Sequence, residues 1–542
     1  MRKKYNVLFP LLLSLSLIIG MFLGGRFTSH SSTTQKSMKA DEKFSQVINF
    51  INRSYVDEPD DQELVEHAIT GMLKELDPHS TYISLSEIEA MNQPLQGNFE
   101  GVGIEFNILK DTIMVVSPIA GGPSEALGIR AGDKIIKVDG ENMAGKGITN
   151  MDVVNTLRGE KGTVVTVGIQ RKGEDELLEF DIKRDKIPIY SVDAKYMIDD
   201  KIGYIKINRF SAKTMQEFHK AIMELSDQGM ESLILDLKGN PGGYLNAAVQ
   251  LADEFLEPGK KIVYTEGRAK PKQTFNSTPR GYFQKGKLVV LIDEGSASAS
   301  EIVSGAVQDW DRGMVIGRRS FGKGLVQEPY ELKDGSAIRL TVARYYTPTG
   351  RSIQKPYEGG VEDYYGESYE RMTSGELFSM DSVEFADSLK FETPNGRTVY
   401  GGGGIMPDIF IPLDTAHRSD YFTQLVRKGL INQFALEYLD KNRKDIQSTF
   451  EDLETFKNEF NKDGKITKAF VDFADKNGVE KDPKGLEKSK HVIEVRMKAL
   501  IGRQIWKSDG FYELINELDD SYQKAIMVIQ DDTFDKMDFK YK

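Results

Sequence analysis

Between residues 40 and 92, apolar residues recur at intervals of three and four, which is the spacing of one face of a helix. The two clearest sets are Phe44, Val47, Ile48 and Ile51, and Val65, Ile69, Met72, Leu73 and Leu76. This spacing predicts an N-terminal helical region over residues 40–94. We interpret His79, in the segment Leu76–Ser80, as a helix-end residue.

Further along the chain, the pattern changes from helical spacing to alternation. Residues 95–186 combine a glycine turn, short alternating strands and a helix near Met151–Leu157, which predicts a compact β domain. Residues 187–413 alternate apolar strands with amphipathic helices, which predicts an α/β core. Within this core, residues 356–403 read as an insert that contains a hairpin at Glu392–Tyr400.

The last part of the chain, residues 414–542, is rich in charged amphipathic helix and poor in strand signals. Two apolar stripes stand out there: Phe434, Leu436, Tyr438 and Leu439, and Val492, Val495, Met497, Leu500 and Ile501. We interpret them as the core of a C-terminal helical domain. The alternative is a surface for docking on the rest of the chain, on a second copy or on a partner.

The start of the chain combines a few basic residues with a long uncharged stretch. Arg2, Lys3 and Lys4 precede 21 uncharged residues, Tyr5–Gly25. As a helix this stretch is roughly 31 Å long, enough to cross a bilayer. The pattern predicts a membrane anchor over residues 1–27 and a polar linker over residues 28–39. Since no Ala-x-Ala cleavage site follows, an uncleaved anchor is favoured over a removed signal peptide.

Charge and composition narrow the expected location and partners. The basic residues before the apolar stretch predict a cytoplasmic N-terminus, with the rest of the chain outside the cytoplasm, on the periplasmic side of the cell envelope. The 542-residue chain has a net charge of −12, which argues against nucleic acid as a partner. It has no cysteine, so disulfides and thiolate metal sites are excluded.

Two short motifs carry the candidate chemistry. Gly295–Glu301 reads Gly-Ser-Ala-Ser-Ala-Ser-Glu, and Phe321–Gln327 reads Phe-Gly-Lys-Gly-Leu-Val-Gln. A serine becomes a nucleophile only when a base takes its proton, and none of the six histidines is close in sequence to either motif. Lys323 can be that base if burial makes it neutral. If the second motif is a strand, Gln327 shares the face of Lys323 and can orient the amine.

The surrounding sequence offers donors for a developing oxyanion. Ser298 precedes a predicted helix, Ser300–Asp309, so the amide of Ala299 lies at a helix start, where negative charge is favoured. The segment Leu235–Gly243 reads as a buried strand that ends in a glycine turn. Its last two residues, Gly242 and Gly243, present further backbone amides to the same site.

The two motifs, together with the Asn-Pro-Gly-Gly turn, resemble the carboxyl-terminal processing (tail-specific) protease family. The resemblance spans roughly residues 40–355 and resumes at 404–408. It implies a multidomain α/β fold with a crotonase-like protease core. The site residues that it implies are the nucleophile Ser298, the base Lys323 placed 25 positions later, the orienting Gln327, and the oxyanion amides of Gly242 and Ala299.

Residues 95–186 resemble a PDZ domain, most specifically in Gly-Ile-Arg-Ala-Gly-Asp within Gly128–Gly140. Such a domain binds a chain end by strand addition, while backbone amides hold the terminal carboxylate. The resemblance places the carboxylate loop on Gly101, Val102 and Gly103, with Ile104 and Phe106 lining the groove. The alternative is that these glycines only allow a tight turn.

Two other patterns do not change this interpretation. Gly317–Gly324 nearly spells a phosphate-binding loop, but Gly324 has no hydroxyl for a metal ion and a strand follows instead of a helix. Asp309 shares the helix face of Ser298 but lies roughly 16 Å along the helix, which is too far for a triad. We expect it to hold a helix end or a nearby loop.

The sequence therefore predicts a membrane-anchored serine endopeptidase that needs no cofactor or metal. It is expected to cleave protein substrates near C-termini that the PDZ-like domain captures. The alternative is a PDZ scaffold with a non-catalytic protease-like platform, although vestigial enzymes typically lose the nucleophile or the base. A regulatory protein partner and homo-oligomerisation both stay open.

Overall fold

The structure is a computed structural model that describes residue 10 and residues 12–21, 39–383, 386–537 and 539. The chain divides into two compact units, Met1–Met72 and Leu73–Lys542.

In the first unit, residues 12–21 are helical and exposed. The predicted anchor, residues 1–27, lies in large part outside the described residues, as does the predicted linker. Among the residues that are described, no helix combines the length and the apolar character needed to cross a membrane.

The secondary structure follows the predicted change of pattern along the chain. The helices are α1 Ala40–Ser54, α2 Asp61–Lys74, α3 Leu85–Gln96, α4 Pro123–Ala126, α5 Asn150–Leu157, α6 Thr214–Asp227, α7 Leu245–Asp253, α8 Ala299–Asp309, α9 Gly360–Thr373, α10 Asp420–Arg427, α11 Leu430–Thr449, α12 Leu453–Glu459, α13 Lys465–Lys476, α14 Pro483–Ile515, α15 Asp520–Gln530 and α16 Thr533–Lys536, with 3₁₀ turns at Met380–Ser382, Asp387–Leu389 and Asn516–Leu518. The strands are β1 Thr81–Ile83, β2 Asn98–Gly101, β3 Ile104–Ile108, β4 Ile113–Pro118, β5 Lys134–Val138, β6 Glu141–Asn142, β7 Val164–Gln170, β8 Leu178–Lys183, β9 Asp185–Pro188, β10 Val192–Met197, β11 Ile202–Ile207, β12 Ser232–Asp236, β13 Lys261–Glu266, β14 Gln273–Asn276, β15 Lys287–Ile292, β16 Met314–Gly317, β17 Leu325–Glu331, β18 Ala337–Tyr346, β19 Lys390–Glu392, β20 Thr398–Tyr400 and β21 Ile409–Phe410.

The central sheet has six strands in the order β10–β11–β12–β15–β16–β21. Its first pair is antiparallel and all the others are parallel. Strands β11 and β12 are buried along their whole length, as expected for parallel strands covered on both faces. Helices α6, α7 and α8 pack on one face through Phe218, Leu251 and Val303. Helix α15 packs on the other face through Tyr522 and Val528.

A second sheet carries the strands on either side of the lysine motif. Its order is β1–β18–β13–β14, with β17 also paired to β18. Strand β1 pairs Thr81 with Arg339, so a short strand from the region predicted to be helical joins this sheet. The predicted hairpin of the insert is present as β19 and β20.

The PDZ-like region forms a separate sheet in the order β3–β4–β5–β7–β8, with β6 paired to β5. Strand β3 lies at its edge. Val102, Val115, Val153 and Val165 lie in one buried cluster that joins the sheet to helix α5. The predicted fold class is confirmed: an α/β core, a PDZ-like β domain and helical terminal regions.

The C-terminal helices enclose two apolar clusters, one around Phe434, Phe470 and Ile493 and one around Phe456 and Leu514. The residues of the two predicted apolar stripes, except Leu436 and Val495, lie in these clusters or pack against them, so most of both stripes belongs to the core of this region. Helix α14 is interrupted at Trp506 and Lys507, whose backbone angles are not helical. Just before this break, Arg503 forms an ion pair of 3.0 Å with Glu105 of β3.

Candidate active site

Ser298 occupies a sharp turn between strand β15 and helix α8. Its φ of 55° and ψ of −108° lie outside the favourable regions for a residue with a side chain. Such a conformation costs about 1–3 kcal/mol and persists only where the surrounding contacts enforce it. The turn places the serine at the helix start, as the sequence predicted.

The three serines of the first motif have different environments. Ser296 Oγ donates to Leu237 O at 2.9 Å, and Ser300 Oγ donates to Asn240 O at 3.0 Å. Both therefore fasten this turn to the glycine turn that follows β12. Ser298, by contrast, lines a cavity of about 900 Å³. The outer serines hold the loop, and the middle one faces open space.

Lys323 lines the same cavity as Ser298 and Gln327. Burial, and then the positive charge of Arg339, lower the pKa of Lys323 to about 8, while Glu301 and Asp77 act in the opposite direction. Its amine forms no ion pair or hydrogen bond with the residues that the structure describes. No hydrogen bond joins the side chains of Lys323 and Ser298. The structure thus brings the predicted nucleophile and base to one cavity, and the pKa of the lysine there lies well below its ordinary value.

Glu301 ties the two motifs together. The fully buried carboxylate accepts hydrogen bonds from the backbone amides of Ser298 at 2.7 Å, Gly322 at 2.7 Å and Lys323 at 2.9 Å. It also accepts one from Ser320 Oγ at 2.5 Å. Burial raises the pKa of Glu301 to about 7, although these donors favour its ionised form. One carboxylate therefore holds the loop of Ser298 and the loop of Lys323 next to each other.

Tyr345, on β18, makes a second tie between the same loops. Its buried hydroxyl lies 3.0 Å from Ser298 O and within hydrogen-bond distance of Lys323 O. The backbone carbonyl groups of Ser298 and Lys323 thus converge on one phenol.

Gln327 is held by a chain of hydrogen bonds that crosses two strands. Its Nε2 donates to Thr341 Oγ1 at 3.3 Å, and Thr341 Oγ1 donates to Asp77 Oδ1 at 2.9 Å. Asp77 also accepts from Ser80 Oγ at 2.6 Å. Because an ionised carboxylate can only accept, the Thr341 proton points to Asp77 and its oxygen receives the Gln327 amide. The carbonyl oxygen of Gln327 then stays available for an amine.

The glycine turn after β12 lies directly against the serine turn. A Cβ atom on Gly242 would lie 2.8 Å from the Cβ of Ser298 and 2.9 Å from Ala299 N, so only glycine fits this contact. The Gly242 amide donates to Asn240 Oδ1 at 2.9 Å. The Ala299 amide has no acceptor among the described residues. Of the two predicted oxyanion donors, one is open and the other is bound internally.

The structure gives His79 more than a helix-end position. His79 is buried, and its Nε2 lies 3.0 Å from the hydroxyl of Tyr364 in the insert. Burial, and then the charge of Lys323, lower the pKa of His79 to about 4, so it is neutral at physiological pH. His79 therefore lies near Lys323 without lining the cavity itself.

Asp309 has the structural role that was expected. It pairs with the fully buried Arg351 at 2.7 Å and accepts two hydrogen bonds from Thr349. It holds the end of α8 to the loop after β18. Within the described residues, no group of three or more His, Asp or Glu side chains is placed to bind a metal ion.

The predicted peptide groove lies at the edge strand β3. Val102 O accepts hydrogen bonds from Ser124 at 2.6 and 3.2 Å, which fixes the loop before the strand. The amides of Val102 and Gly103 have no acceptor in the part of the chain that is described. Gly103 has a φ of +74°, the left-handed conformation that turns successive amides toward one point. Ile104 and Phe106 are partly buried beside the domain core.

In and around the cavity that Ser298 and Lys323 line, the sequence analysis missed four residues: Asp77, Glu301, Thr341 and Arg339. For Glu301 a signal existed, since Ser-x-x-Glu has the spacing of a helix capping box. Thr341 and Arg339 lie on the same strand, β18, and its pairing with β1 brings them close to Asp77, which lies 264 positions before Thr341.

Four family models match the chain. Residues 201–364 match peptidase family S41, and residues 114–171 match the PDZ domain. Residues 25–86 match the N-terminal domain of the activating protease CtpB. Residues 421–507 match a family of unknown function.

Two relatives cover most of the same region. A carboxy-terminal-processing protease of Bartonella bacilliformis is 40% identical over 347 residues, which cover 62% of this chain and 79% of that protein. A probable CtpA-like serine protease of Staphylococcus aureus is 36% identical over 343 residues, which cover 62% of this chain and 67% of that protein. The chain belongs to the carboxy-terminal-processing proteases of peptidase family S41, a serine-type family, and the predicted resemblance is confirmed.

Among solved structures, the photosystem II D1 C-terminal processing protease is 31% identical and aligns over 57% of this chain and 89% of its own. The TM-score of that alignment is 0.34.

Proposed function

We propose that this protein is a serine endopeptidase in which Ser298 and Lys323 form the catalytic dyad. It cleaves protein substrates near C-termini that its PDZ domain captures. The observation that carries the proposal is the cavity shared by Ser298 and Lys323, in which the lysine is partly buried, its amine has no partner among the described residues, and its pKa is lowered to about 8. Burying a charged amine without a partner is unfavourable, so the neutral form becomes easier to reach. A lowered pKa of this kind is typical of functional sites.

In the proposed reaction, neutral Lys323 takes the proton from Ser298 Oγ as the oxygen attacks a peptide carbonyl. The carbonyl oxygen becomes negative and is stabilised by the Ala299 amide at the start of α8. Lys323 then gives its proton to the leaving amine. In the second half of the reaction, Lys323 takes a proton from a water molecule that attacks the acyl-enzyme and returns it to Ser298 Oγ. Gln327 orients the lysine amine throughout.

The second oxyanion donor requires a local change. The Gly242 amide now donates to Asn240 Oδ1, so it must share or exchange that hydrogen bond when a substrate carbonyl arrives. Hydrogen bonds of catalytic groups are often incomplete before substrate binds. In this proposal, substrate binding completes both the oxyanion hole and the contact between Ser298 and Lys323.

Substrate delivery is assigned to the PDZ domain, residues 95–186. The free edge of β3 offers backbone atoms for strand addition, and the open amides of Val102 and Gly103 offer donors to a terminal carboxylate. Gly101, Ile104 and Phe106 complete the groove.

The test uses the full chain and a loosely folded substrate with either a free or an amidated C-terminus. Wild type, Ser298→Ala and Lys323→Met are compared by mass spectrometry of the products. We expect wild type to cleave and to favour the free C-terminus, and both variants to lose at least about 10⁴-fold in rate. Retained binding of the free tail by both variants would show that they are folded.

Two results would contradict the proposal. Undiminished cleavage by Lys323→Met would exclude this lysine as the base. Binding of the free tail by wild type with no cleavage of any substrate would favour the scaffold function.

We also propose that residues 1–27 anchor the protein in the cytoplasmic membrane, with the catalytic part on the periplasmic side. The support is the sequence alone, three basic residues followed by 21 uncharged ones. Retention of the full chain in the membrane fraction after alkaline carbonate extraction is expected. Release of the full chain by carbonate would contradict this proposal.

A further inference from the structure

Arg339 is a charged residue in the cavity that the proposed reaction leaves without a role. It lies in the middle of β18, opposite Thr81 on one side and Pro329 on the other, and it lines the cavity together with Ser298 and Lys323. Its side chain is partly buried. In the described part of the chain it forms no ion pair and no hydrogen bond.

Three arginines that are more deeply buried than Arg339, namely Arg312, Arg319 and Arg351, have partners. Arg351 pairs with Asp309 at 2.7 Å, and Arg319 pairs with Glu376 at 2.7 Å. Arg312 donates to three backbone carbonyls. Because withdrawing a guanidinium from water without an acceptor is unfavourable, the unpaired state of Arg339 calls for an acceptor that arrives with a ligand.

The charged groups nearest to the cavity do not provide that acceptor. Asp77 is occupied by Thr341 and Ser80, and Glu301 by four donors of the catalytic loops. Glu331 lines the cavity but is exposed and forms no ion pair with Arg339. The remaining charge there is Lys323, which repels a guanidinium.

We propose that Arg339 binds a carboxylate of the peptide in the cleavage cavity, next to the scissile bond. This site is separate from the carboxylate loop of the PDZ domain, and the inference rests on the proposed function. A guanidinium presents paired donors that match a carboxylate in a bidentate geometry. The carboxylate comes either from an Asp or Glu side chain of the substrate or from the terminal carboxylate of a short leaving segment. Arg339 is then a specificity-determining residue of the protease.

The position of Arg339 also connects recognition with the base. Its positive charge is one cause of the lowered pKa of Lys323. A carboxylate bound at Arg339 offsets that charge, so an acidic peptide is expected to raise the pKa of Lys323 while it strengthens binding. Glu301 and Asp77 also act on Lys323 and raise its pKa, whereas the nearby His79 is neutral at physiological pH.

The experiment measures kcat/KM of the full chain for two series of peptides. In the first, all peptides are amidated and a single Glu or Gln occupies each position from three before to three after the scissile bond. In the second, the uncharged peptide has a free or amidated end two to four residues after that bond. The enzymes are wild type, Arg339→Gln, Arg339→Lys and the control Arg344→Gln, an exposed arginine on the same strand.

We expect wild type to favour the carboxylate in at least one series by about 10-fold. Arg339→Gln should reduce that ratio to near one, Arg339→Lys should keep part of it, and Arg344→Gln should match wild type. A preference in the first series identifies a side-chain carboxylate, and one in the second identifies the terminal carboxylate. The acid limb of the pH profile should also move to higher pH in Arg339→Gln, because the repulsion of Lys323 is lost.

An unchanged ratio in Arg339→Gln, with both enzymes cleaving, would overturn the inference and leave the proposed function intact. If wild type cleaves neither series, the proposed function fails. The inference is then decided by the affinities of the same peptides for Ser298→Ala with and without Arg339→Gln. Equal affinities for Glu and Gln peptides and for free and amidated short ends, in both proteins, would overturn it.

Discussion

In the proposed catalytic cavity, three loops are tied to one another by buried side chains, whereas the predicted PDZ groove consists mainly of the backbone of an edge strand. Glu301 accepts hydrogen bonds from both the serine loop and the lysine loop. Strand β3, by contrast, pairs with β4 on one side and with no described strand on the other. The first site depends on particular side chains and the second on an exposed backbone edge.

This difference predicts how the two sites respond to substitution. Loss of a side chain that fixes the catalytic loops should lower kcat, because it disturbs geometry that matters only in the transition state. Loss of a groove side chain should raise KM and leave kcat nearly unchanged, because the backbone contacts that deliver the substrate remain. Three substitutions separate these effects, in order of decreasing size.

Glu301→Gln should have the largest effect of the three. The amide nitrogen of glutamine would face donors that now meet a carboxylate oxygen, so the serine and lysine loops would move apart. A displacement of about 1 Å in a catalytic group lowers the rate by about 10²-fold. We expect kcat to fall by this factor with little change in KM, measured on an amidated peptide. A thermal melt serves as the control for folding. A kcat within about threefold of wild type in the folded variant would contradict this role of Glu301.

Thr341→Val should have an intermediate effect. The substitution keeps the shape of the side chain but removes the oxygen between Gln327 and Asp77. Gln327 then loses the contact that fixes which end of its amide faces the lysine. We expect kcat to fall about 10-fold, roughly the weight of one lost hydrogen bond. Thr341→Ser, which restores the hydroxyl, should recover most of the activity. Equal losses in Val and Ser variants would mean that packing, and not the hydroxyl, is what matters.

Phe106→Ala should have the smallest effect on chemistry. Phe106 lies on β3 beside the domain core, so its removal weakens the groove without touching the catalytic loops. We expect KM for a free-tailed substrate to rise about 10-fold at nearly constant kcat, as for the loss of one apolar anchor. The matched control is Phe180→Ala, the same truncation on β8 at the other edge of the sheet. A similar rise of KM in both variants would indicate a general loosening of the domain.

The sequence predicted the local parts of this molecule better than the long-range ones. Ser298, Lys323 and Gln327 lie in short motifs whose chemistry is readable without a fold, and the structure brings all three to one cavity. Asp77 and Thr341 meet across 264 positions of sequence, and only the pairing of β1 with β18 places them together. No local pattern encodes that register.

Contacts between distant parts of the sequence also explain why the predictions for His79 and Arg339 were incomplete. His79 does follow a helix, but its burial against Tyr364 depends on the insert, which lies 285 positions further on. Arg339 is one of two arginines on β18, and no sequence pattern indicates that it, rather than Arg344, lines the cavity without a partner among the described residues. The environment of a side chain, more than its spacing, decides such roles.

The most direct test of the Ser298–Lys323 dyad is the pH dependence of the reaction of Ser298 with a serine-directed fluorophosphonate. Because burial and Arg339 hold the pKa of Lys323 near 8, the lysine is protonated below that pH and becomes a base above it. We predict that modification of Ser298, mapped by mass spectrometry, rises with pH around a midpoint near 8 in wild type. Lys323→Met should leave Ser298 unmodified at every pH. A rate that is flat between pH 6 and 9, or equal in the Lys323→Met protein, would contradict a neutral lysine as the base.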